Sequence, residues 1–364
     1  MTRRQAAVYA GAVGLQVLAR RAAGAVLFAL VVSVSTGAAL AEQPTTVDVS
    51  DHPIVLIQHT EPIWISTWDR EQIAIDAGGD APNVERRPGR LAPNGTAPYS
   101  VPIPAQTIEA PNGQSITLGP ENFPVQIPPG QHDTIRIQVP PQVTTVMIPA
   151  DTSVLSINGF AATQIENYHG QLIAQQRAGP LVLRNVSGDA FVQNLQGQIF
   201  VADSSFNRLR TRTAVSNMVF QRCNVRQIEA TSTRGSILYN NGSFQPGLAR
   251  FETVTGHVAL GVNGPASVAV KGPPGQIFQN FDQPTPFVDR GGEANARIEG
   301  GGPLVNVVTR QGRVYLYDGS ILNKRALPQH WNQIRAPLQR FREREQQQQQ
   351  RRGPPPWAQR RPNG

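Results

Sequence analysis

The chain has 364 residues, 39% of them hydrophobic and 16% charged, with a formal net charge of +8 at pH 7 and one cysteine. That length can bury a sizeable core, and a lone thiol excludes an internal disulfide framework. The positive charge is unevenly placed: residues 324–364 hold ten bases against Glu343 and Glu345, whereas residues 42–323 hold 19 bases against 23 acids.

Residues 1–41 carry four arginines and no acid, an apolar run from Ala22 to Thr36, and Ala39-Leu40-Ala41. This pattern predicts a signal peptide cleaved after Ala41, and therefore export to the periplasm, the cell surface or the medium. No later segment approaches 18 uninterrupted apolar residues, so no transmembrane span is expected after cleavage.

Residues 42–81 are expected to form a small N-terminal β cap. Ile54-Val55-Leu56-Ile57, Ile63-Trp64-Ile65 and Ile73-Ala74-Ile75 are short β runs bounded by Pro62 and Gly78-Gly79. Residues 82–130 contain eleven prolines. Proline cannot donate to a ladder, so this insert is expected to be extended loop with at most edge strands. Alternation resumes at Ile135-Arg136-Ile137-Gln138-Val139.

From there to residue 323 a phrase recurs: glycine, one variable residue, then an alternating apolar pair. It begins at Gly170, Gly188, Gly197, Gly235, Gly256, Gly275, Gly292 and Gly312, with a slipped copy at Asn217. From Gly197 the steps, counting Asn217, are 20, 18, 21, 19, 17 and 20 residues, while Gly188 to Gly197 is nine. A period near twenty with a half-period of nine predicts an all-β, β-helix-like solenoid of about eight coils, each holding two strands and two corners. The glycines are expected at tight corners, with the apolar positions turned inward to stack on the next coil. Lone Cys223 is expected to be a buried small hydrophobe.

In residues 324–364, Trp331, Ile334, Leu338 and Phe341 are spaced 3, 4 and 3, one face of a helix, although Pro337 weakens it. Beyond them the Gln-, Arg- and Pro-rich composition predicts a disordered basic tail.

The Val186-Ser187-Gly188-Asp189, Val254-Thr255-Gly256-His257 and Gln311-Gly312-Arg313 phrases, behind a signal peptide, resemble the bacterial putative-adhesin family of exported β-solenoids. So does the Ile135 to Pro140 entry strand. The resemblance covers residues 47–317 and implies the fold; that family's domain is largely of unknown function and supplies no catalytic residues.

Arg208, Arg210 and Arg212 alternate along one strand and therefore share a face, with Arg222, Arg226, Arg234 and Arg250 on the same or adjoining faces. Such a guanidinium ladder can grip the carboxylates or phosphates of an acidic envelope polysaccharide or lipopolysaccharide. The opposing reading is a solvated strand face that resists aggregation. The basic tail is a further candidate contact with an anionic envelope surface, whereas the expected export and the lack of interleaved aromatic residues argue against nucleic acid. Asp189 and Asp203 are the most plausible carboxylate pair for a polysaccharide-cleaving β-helix. The six histidines lack metal-ligand spacing, His169 and His257 falling at exposed corners, and neither a cofactor nor a catalytic motif is expected. Trp64 and Trp68 share a face and are expected to pack against the first coil. The sequence thus predicts a non-enzymatic, adhesin-like scaffold. The alternatives are a β-helix lyase or hydrolase, or an envelope assembly component that pairs through solenoid ends.

Overall fold

The computed structural model describes residues 44–319, apart from 51, 79, 88–98, 110–112, 128–131 and 282–286. The expected signal peptide, the basic tail and the Trp331 to Phe341 face lie outside the described residues. Within them the protein is all-β, with no helix.

The chain begins with β1 (Thr45–Asp48), β2 (Ile54–His59), β3 (Ile63–Trp68), β4 (Gln72–Asp76) and β5 (Asn83–Arg87). In β2 and β3 the inward residues Val55, Ile57, Ile63 and Ile65 are buried and their neighbours are partly exposed, as alternation requires. The proline-rich insert, expected to be extended loop with at most edge strands, forms edge strands. It contributes β6 (Tyr99–Ile103), β7 (Gln106–Glu109), β8 (Ser115–Leu118) and β9 (Glu121–Val125). β6 pairs antiparallel with β9, and β7 with β8. Two-stranded ribbons have a free edge on every strand, so Pro102 and Pro124 can sit within them at little cost.

After β10 (Thr134–Gln138) and β11 (Thr144–Pro149) the chain settles into a two-strand period. It runs through β12 (Val154–Gly159), β13 (Thr163–Glu166), β14 (His169–Ala178), β15 (Leu181–Arg184), β16 (Ser187–Gln196) and β17 (Ile199–Ala202). It continues through β18 (Ser205–Thr213), β19 (Met218–Gln221), β20 (Asn224–Arg234), β21 (Ile237–Phe244), β22 (Ala249–Thr255) and β23 (Val258–Val262). Each strand pairs in parallel with the one two further along, giving an even ladder and an odd ladder. Pairing of β20 with the end of β21 joins the two into one sheet of 25 strands. Inward residues such as Leu172, Ala190, Leu209, Ile228 and Phe251 form one continuous core with the inward side of the odd ladder.

Two corner columns hold the ladders in register, and the glycines mark only one of them consistently. Gly197, Gly235, Gly256 and Gly312 each stand two residues before an odd-ladder strand, whereas Gly170 and Gly188 lie inside even-ladder strands. The slipped copy is in register at Ser216, not Asn217, because Met218 aligns with Ile199 and Ile237. At Gly256 a Cβ would lie 2.2 Å from the carbonyl oxygen of Gly235, and φ is +152°, so both space and backbone demand glycine. The carbonyls of this column are held from inside. Asn194 Nδ2 donates to Gly179 O at 2.9 Å, Thr253 Oγ1 to Gly235 O at 2.9 Å, and Thr309 Oγ1 to Gly256 O at 3.1 Å. The second column is left-handed without glycine: Asn167, Asn185, Asp203, Arg222 and Asn241 all have φ between +50° and +58°. Asparagine and aspartate tolerate that region, and here they also bond along the column, as Asn185 Nδ2 does to Asn167 Oδ1 at 2.8 Å.

The strands do not stack in chain order at the ends. β24 (Ala266–Lys271), β25 (Ile277–Asn280), β26 (Phe287–Arg290) and β27 (Glu293–Ile298) precede β28 (Leu304–Gln311) and β29 (Val314–Asp318) in sequence. In space β28 and β29 follow β22 and β23, and β24 and β25 lie beyond them. Gly256, Gly275, Gly292 and Gly312 are therefore not successive rungs as their spacing suggests: Gly312 is the neighbour of Gly256. The N-terminal end has the same device, since β10 and β12 flank β2 while β11 and β13 flank β3. Antiparallel strands then close three of the ladder ends: β5 on β10, β4 and β1 on β11, and β27 and β26 on β24. Switching to antiparallel interrupts the parallel template that a bare end offers to other chains.

Candidate functional site

Arg208, Arg210 and Arg212 lie on β18 and point outward, as alternation requires, and the parallel register sets their neighbours. Asp189 stands opposite Arg208, Phe191 and Glu229 opposite Arg210, and Gln193 and Thr231 opposite Arg212. Arg208 Nη2 lies 2.7 Å from Asp189 Oδ2, and Arg210 Nε lies 2.9 Å from Glu229 Oε2. The carboxylates next to the ladder therefore pair with it across one rung.

The proline-rich insert covers the same face. Ile103, Phe123 and Val125 of β6 and β9 pack on Val154, Ile173 and Phe191, which point outward from the even ladder. Ile116 and Leu118 of β8 pack on Leu195 and Ala214. At the margin of this cover the arginines are gripped by insert residues. Arg208 Nη2 donates to Pro124 O at 3.1 Å, and its guanidinium lies over the Phe123 ring, 4.9 Å from the centroid. Glu121 accepts from both Arg210 and Arg212, the latter at 2.9 Å, and Gly119 O accepts from Arg212 at 3.2 Å. Burial, with the Arg210 charge beside it, works against the charged form of Arg212, and Glu229 works in its favour.

The remaining predicted arginines are dispersed. Arg222 occupies the left-handed corner and forms a bidentate pair with Asp203, Nε to Oδ1 at 2.5 Å and Nη2 to Oδ2 at 2.8 Å. Arg234, at the end of β20, donates to Gln114 of the insert. Arg226 is exposed on β20, and Arg250 pairs with Glu252 at 2.6 Å. In place of one guanidinium surface, Arg208, Arg210, Arg212, Arg222 and Arg250 form internal ion pairs, and Arg208, Arg210, Arg212 and Arg234 are bound to the insert. The carboxylate pair is separated likewise: Asp189 belongs to Arg208 on the even ladder, and Asp203 to Arg222 at the corner.

The histidines divide. His169 is exposed, its Nδ1 2.7 Å from Ser187 Oγ. His257 is only partly exposed, and its Nδ1 accepts from the Arg313 backbone N–H at 3.0 Å; burial, then the Arg313 charge, lowers its pKa. Buried His59 bridges the Glu61 carbonyl and the Thr163 hydroxyl. Among the described residues no group of three His, Cys, Asp or Glu is placed to hold a metal ion.

Beyond the insert's cover, the outer face of the even ladder is open. Across β20, β22, β28, β24 and β27 it presents two columns: Glu229, Arg250, Asn306, Ala269 and Asn295, and beside them Thr231, Glu252, Val308, Lys271 and Glu293. These residues are exposed or partly exposed, acids alternate with bases, and Lys271 Nζ lies 3.2 Å from Glu293 Oε1. Sequence reasoning missed this face, since β27, β24 and β28 become neighbours only through the out-of-order ending.

No family model and no curated protein matches the chain. A solved structure described as a putative cell adhesion protein from Clostridium sporogenes ATCC 15579 aligns with 76% of this chain and 98% of its own, at 9% identity. The TM-score is 0.21. A likeness this slight carries no argument.

Proposed function

We propose that the two ladders are the faces of an exported β-solenoid that works without enzymatic activity, as an adhesin-like scaffold binding a polymer of the cell envelope. The observation that carries this reading is the uncovered outer face of the even ladder from β20 to β27. It is built of the two in-register columns of side chains, polar or charged except at Ala269 and Val308, at intervals of about 4.8 Å. A regular row of donors and acceptors suits an extended polymer better than a compact ligand, which needs a concave site. The mixed charge of this face shifts the ligand away from the strongly acidic polymer that a free arginine ladder would select. Hydrogen bonding to sugar hydroxyls, with charge as a secondary selector, is the interaction that these side chains offer. The basic tail supplies a second, electrostatic contact with an anionic surface, and that contact weakens with salt.

The test is chromatography of the chain from residue 42 with neutral and acidic envelope polysaccharides, with glycan and protein detected separately. Co-elution at unchanged glycan length, lost in Arg250→Glu/Asn306→Asp/Lys271→Glu, is the expected result. Shortened glycan would make the chain an enzyme and send attention back to Asp189 and Asp203. Absence of binding to every polymer would end the scaffold reading.

A further inference from the structure

A third column flanks those two on the outer face of the even ladder, and leucine interrupts it. On the earlier rungs it reads Gln171, Asp189, Arg208 and Gln227, and on the last two Ser267 and Arg297. Between these stand Leu248 and Leu304, each one residue before the paired Ala249 and Val305. They are 54% and 49% exposed, and only two other large apolar side chains are exposed among the described residues. A single exposed leucine is ordinary, but two on adjacent rungs make a contiguous apolar patch. The insert buries Val154, Ile173 and Phe191 elsewhere on this face, whereas no described element covers the two leucines. Arg250 and Asn306 follow them by two residues, so alternation puts them on the same side, about 7 Å further along each strand. Arg250 is held by Glu252. Asn306 is partly exposed, and its amide can both donate and accept. Charge on the open face balances, with Glu229, Glu252 and Glu293 against Arg250, Lys271 and Arg297. Its described strands present no aromatic ring on this side, so the face cannot stack on the flat side of a sugar ring.

We infer that Leu248, Leu304 and Asn306 form a subsite for an acetamido group, and that the polymer held on this face is a neutral chain of N-acetylated amino sugars. The inference rests on the scaffold reading and names its ligand class. The acetyl methyl lies across the two leucines and leaves water. The amide beside it pairs with Asn306, donor to acceptor and acceptor to donor. The methyl group of a deoxy sugar would use the leucines but not Asn306. A bare hydroxyl would use Asn306 and leave the leucines wet. Only a group with a methyl next to a donor and an acceptor uses all three side chains. The balanced charge around them favours a neutral chain, since neither sign is in excess to meet a charged one.

Calorimetric titration of the chain from residue 42 with chitohexaose and cellohexaose tests this. The two are neutral, identically linked chains of equal length, differing only in an acetamido group or a hydroxyl at the second ring carbon. A preference of about tenfold for the acetylated chain is expected, the sum of one buried methyl group and one net hydrogen bond. Leu248→Ser/Leu304→Ser and, separately, Asn306→Ala should each cut that preference several-fold. All three positions are exposed or partly exposed, so both variants should melt within a few degrees of the parent. Equal binding of the two chains, or a preference that survives both variants, would overturn the inference and leave the scaffold reading standing. So would binding of neither while another polymer co-elutes in the chromatographic test. Absence of binding to every polymer there would end both.

Discussion

Arg212 Nη1 lies 2.9 Å from Glu121 Oε2, joining a repeat strand to an insert residue 91 positions earlier in the chain. The pair is largely shielded, with side-chain exposures of 22% and 16%, and Glu121 also accepts from Arg210. Removing the carboxylate leaves two guanidinium groups side by side and partly desolvated. Glu121→Ala is expected to cost about 1–3 kcal/mol, read as a lower urea midpoint. A double-mutant cycle with Arg212→Ala should show coupling, and additive effects would mean that the contact does not hold the insert.

Phe191 is the apolar anchor of the same junction. It is fully buried, its ring centroid is 5.7 Å from that of Phe123, and it points outward from the even ladder. Phe191→Ala should cost about 3–5 kcal/mol. Hydrogen exchange should accelerate in β6 and β9 before it does in β16, because the cavity opens on the insert side. Uniform acceleration would indicate that insert and ladder unfold as one unit.

Gly256 and Gly264 form a matched pair for testing the corner column. Both have positive φ, +152° and +89°, but a Cβ on Gly256 meets Gly235 O at 2.2 Å, while a Cβ on Gly264 meets nothing within 4 Å. Gly264→Ala is expected to cost about 1 kcal/mol from backbone strain alone. Gly256→Ala must also push two rungs apart and should cost at least twice as much, measured by thermal melting. Equal costs would remove close approach from the explanation.

Cys223 is buried at the residue following the left-handed corner, and burial pushes its thiol up to about 12. At pH 8 almost none is thiolate, so the native protein should not react with a thiol reagent until denaturant is added. Ser204 follows the equivalent corner one rung earlier, so Cys223→Ser should fold with a loss near 1 kcal/mol. Rapid labelling of the native protein would contradict this placement.

His59 introduces a pH dependence. Desolvation lowers its pKa from 6.5, with the Glu61 backbone hydrogen bond acting in the opposite sense. The folded state therefore binds this proton less readily than the unfolded chain does. Its contribution to stability is complete above about pH 6.5 and declines as pH falls toward the lower folded value. His59→Gln should flatten the stability profile just below pH 6.5, and an unchanged slope there would assign the dependence to other groups.

The strand phrases were legible because alternation is local. Leu172, Ala174, Ala190 and Val192 are inward and buried, as their positions after Gly170 and Gly188 predict. A second signal was also present in the sequence but went unread. Gln176, Asn194, Ser232, Thr253 and Thr309 each stand three residues before a glycine of the odd-ladder corner. That polar-x-x-Gly step marks the side chains that hold the corner carbonyls, although Asn167 and Asn185 stand at the same distance before Gly170 and Gly188, so the step alone does not tell the two columns apart. The Asn167, Asn185, Asp203 and Asn241 spacing marks the other corner in the same way.

The covers were not legible. Val101, Ile103, Phe123 and Val125 alternate with prolines, and proline masks a strand signal wherever the strand has a free edge. Nor does the spacing of Arg208, Arg210 and Arg212 reveal that Glu121 already occupies them. By itself the sequence determined strand identity and which side chains turn inward, since side-chain direction in a strand follows from two-residue periodicity. Only the tertiary structure decided which rungs adjoin and which outer faces remain open. Gly256 meets Gly312 rather than Gly275, and the insert meets β18, through contacts between residues 56 to 93 positions apart. Pairing at that distance depends on how whole surfaces fit together, and no local pattern encodes it.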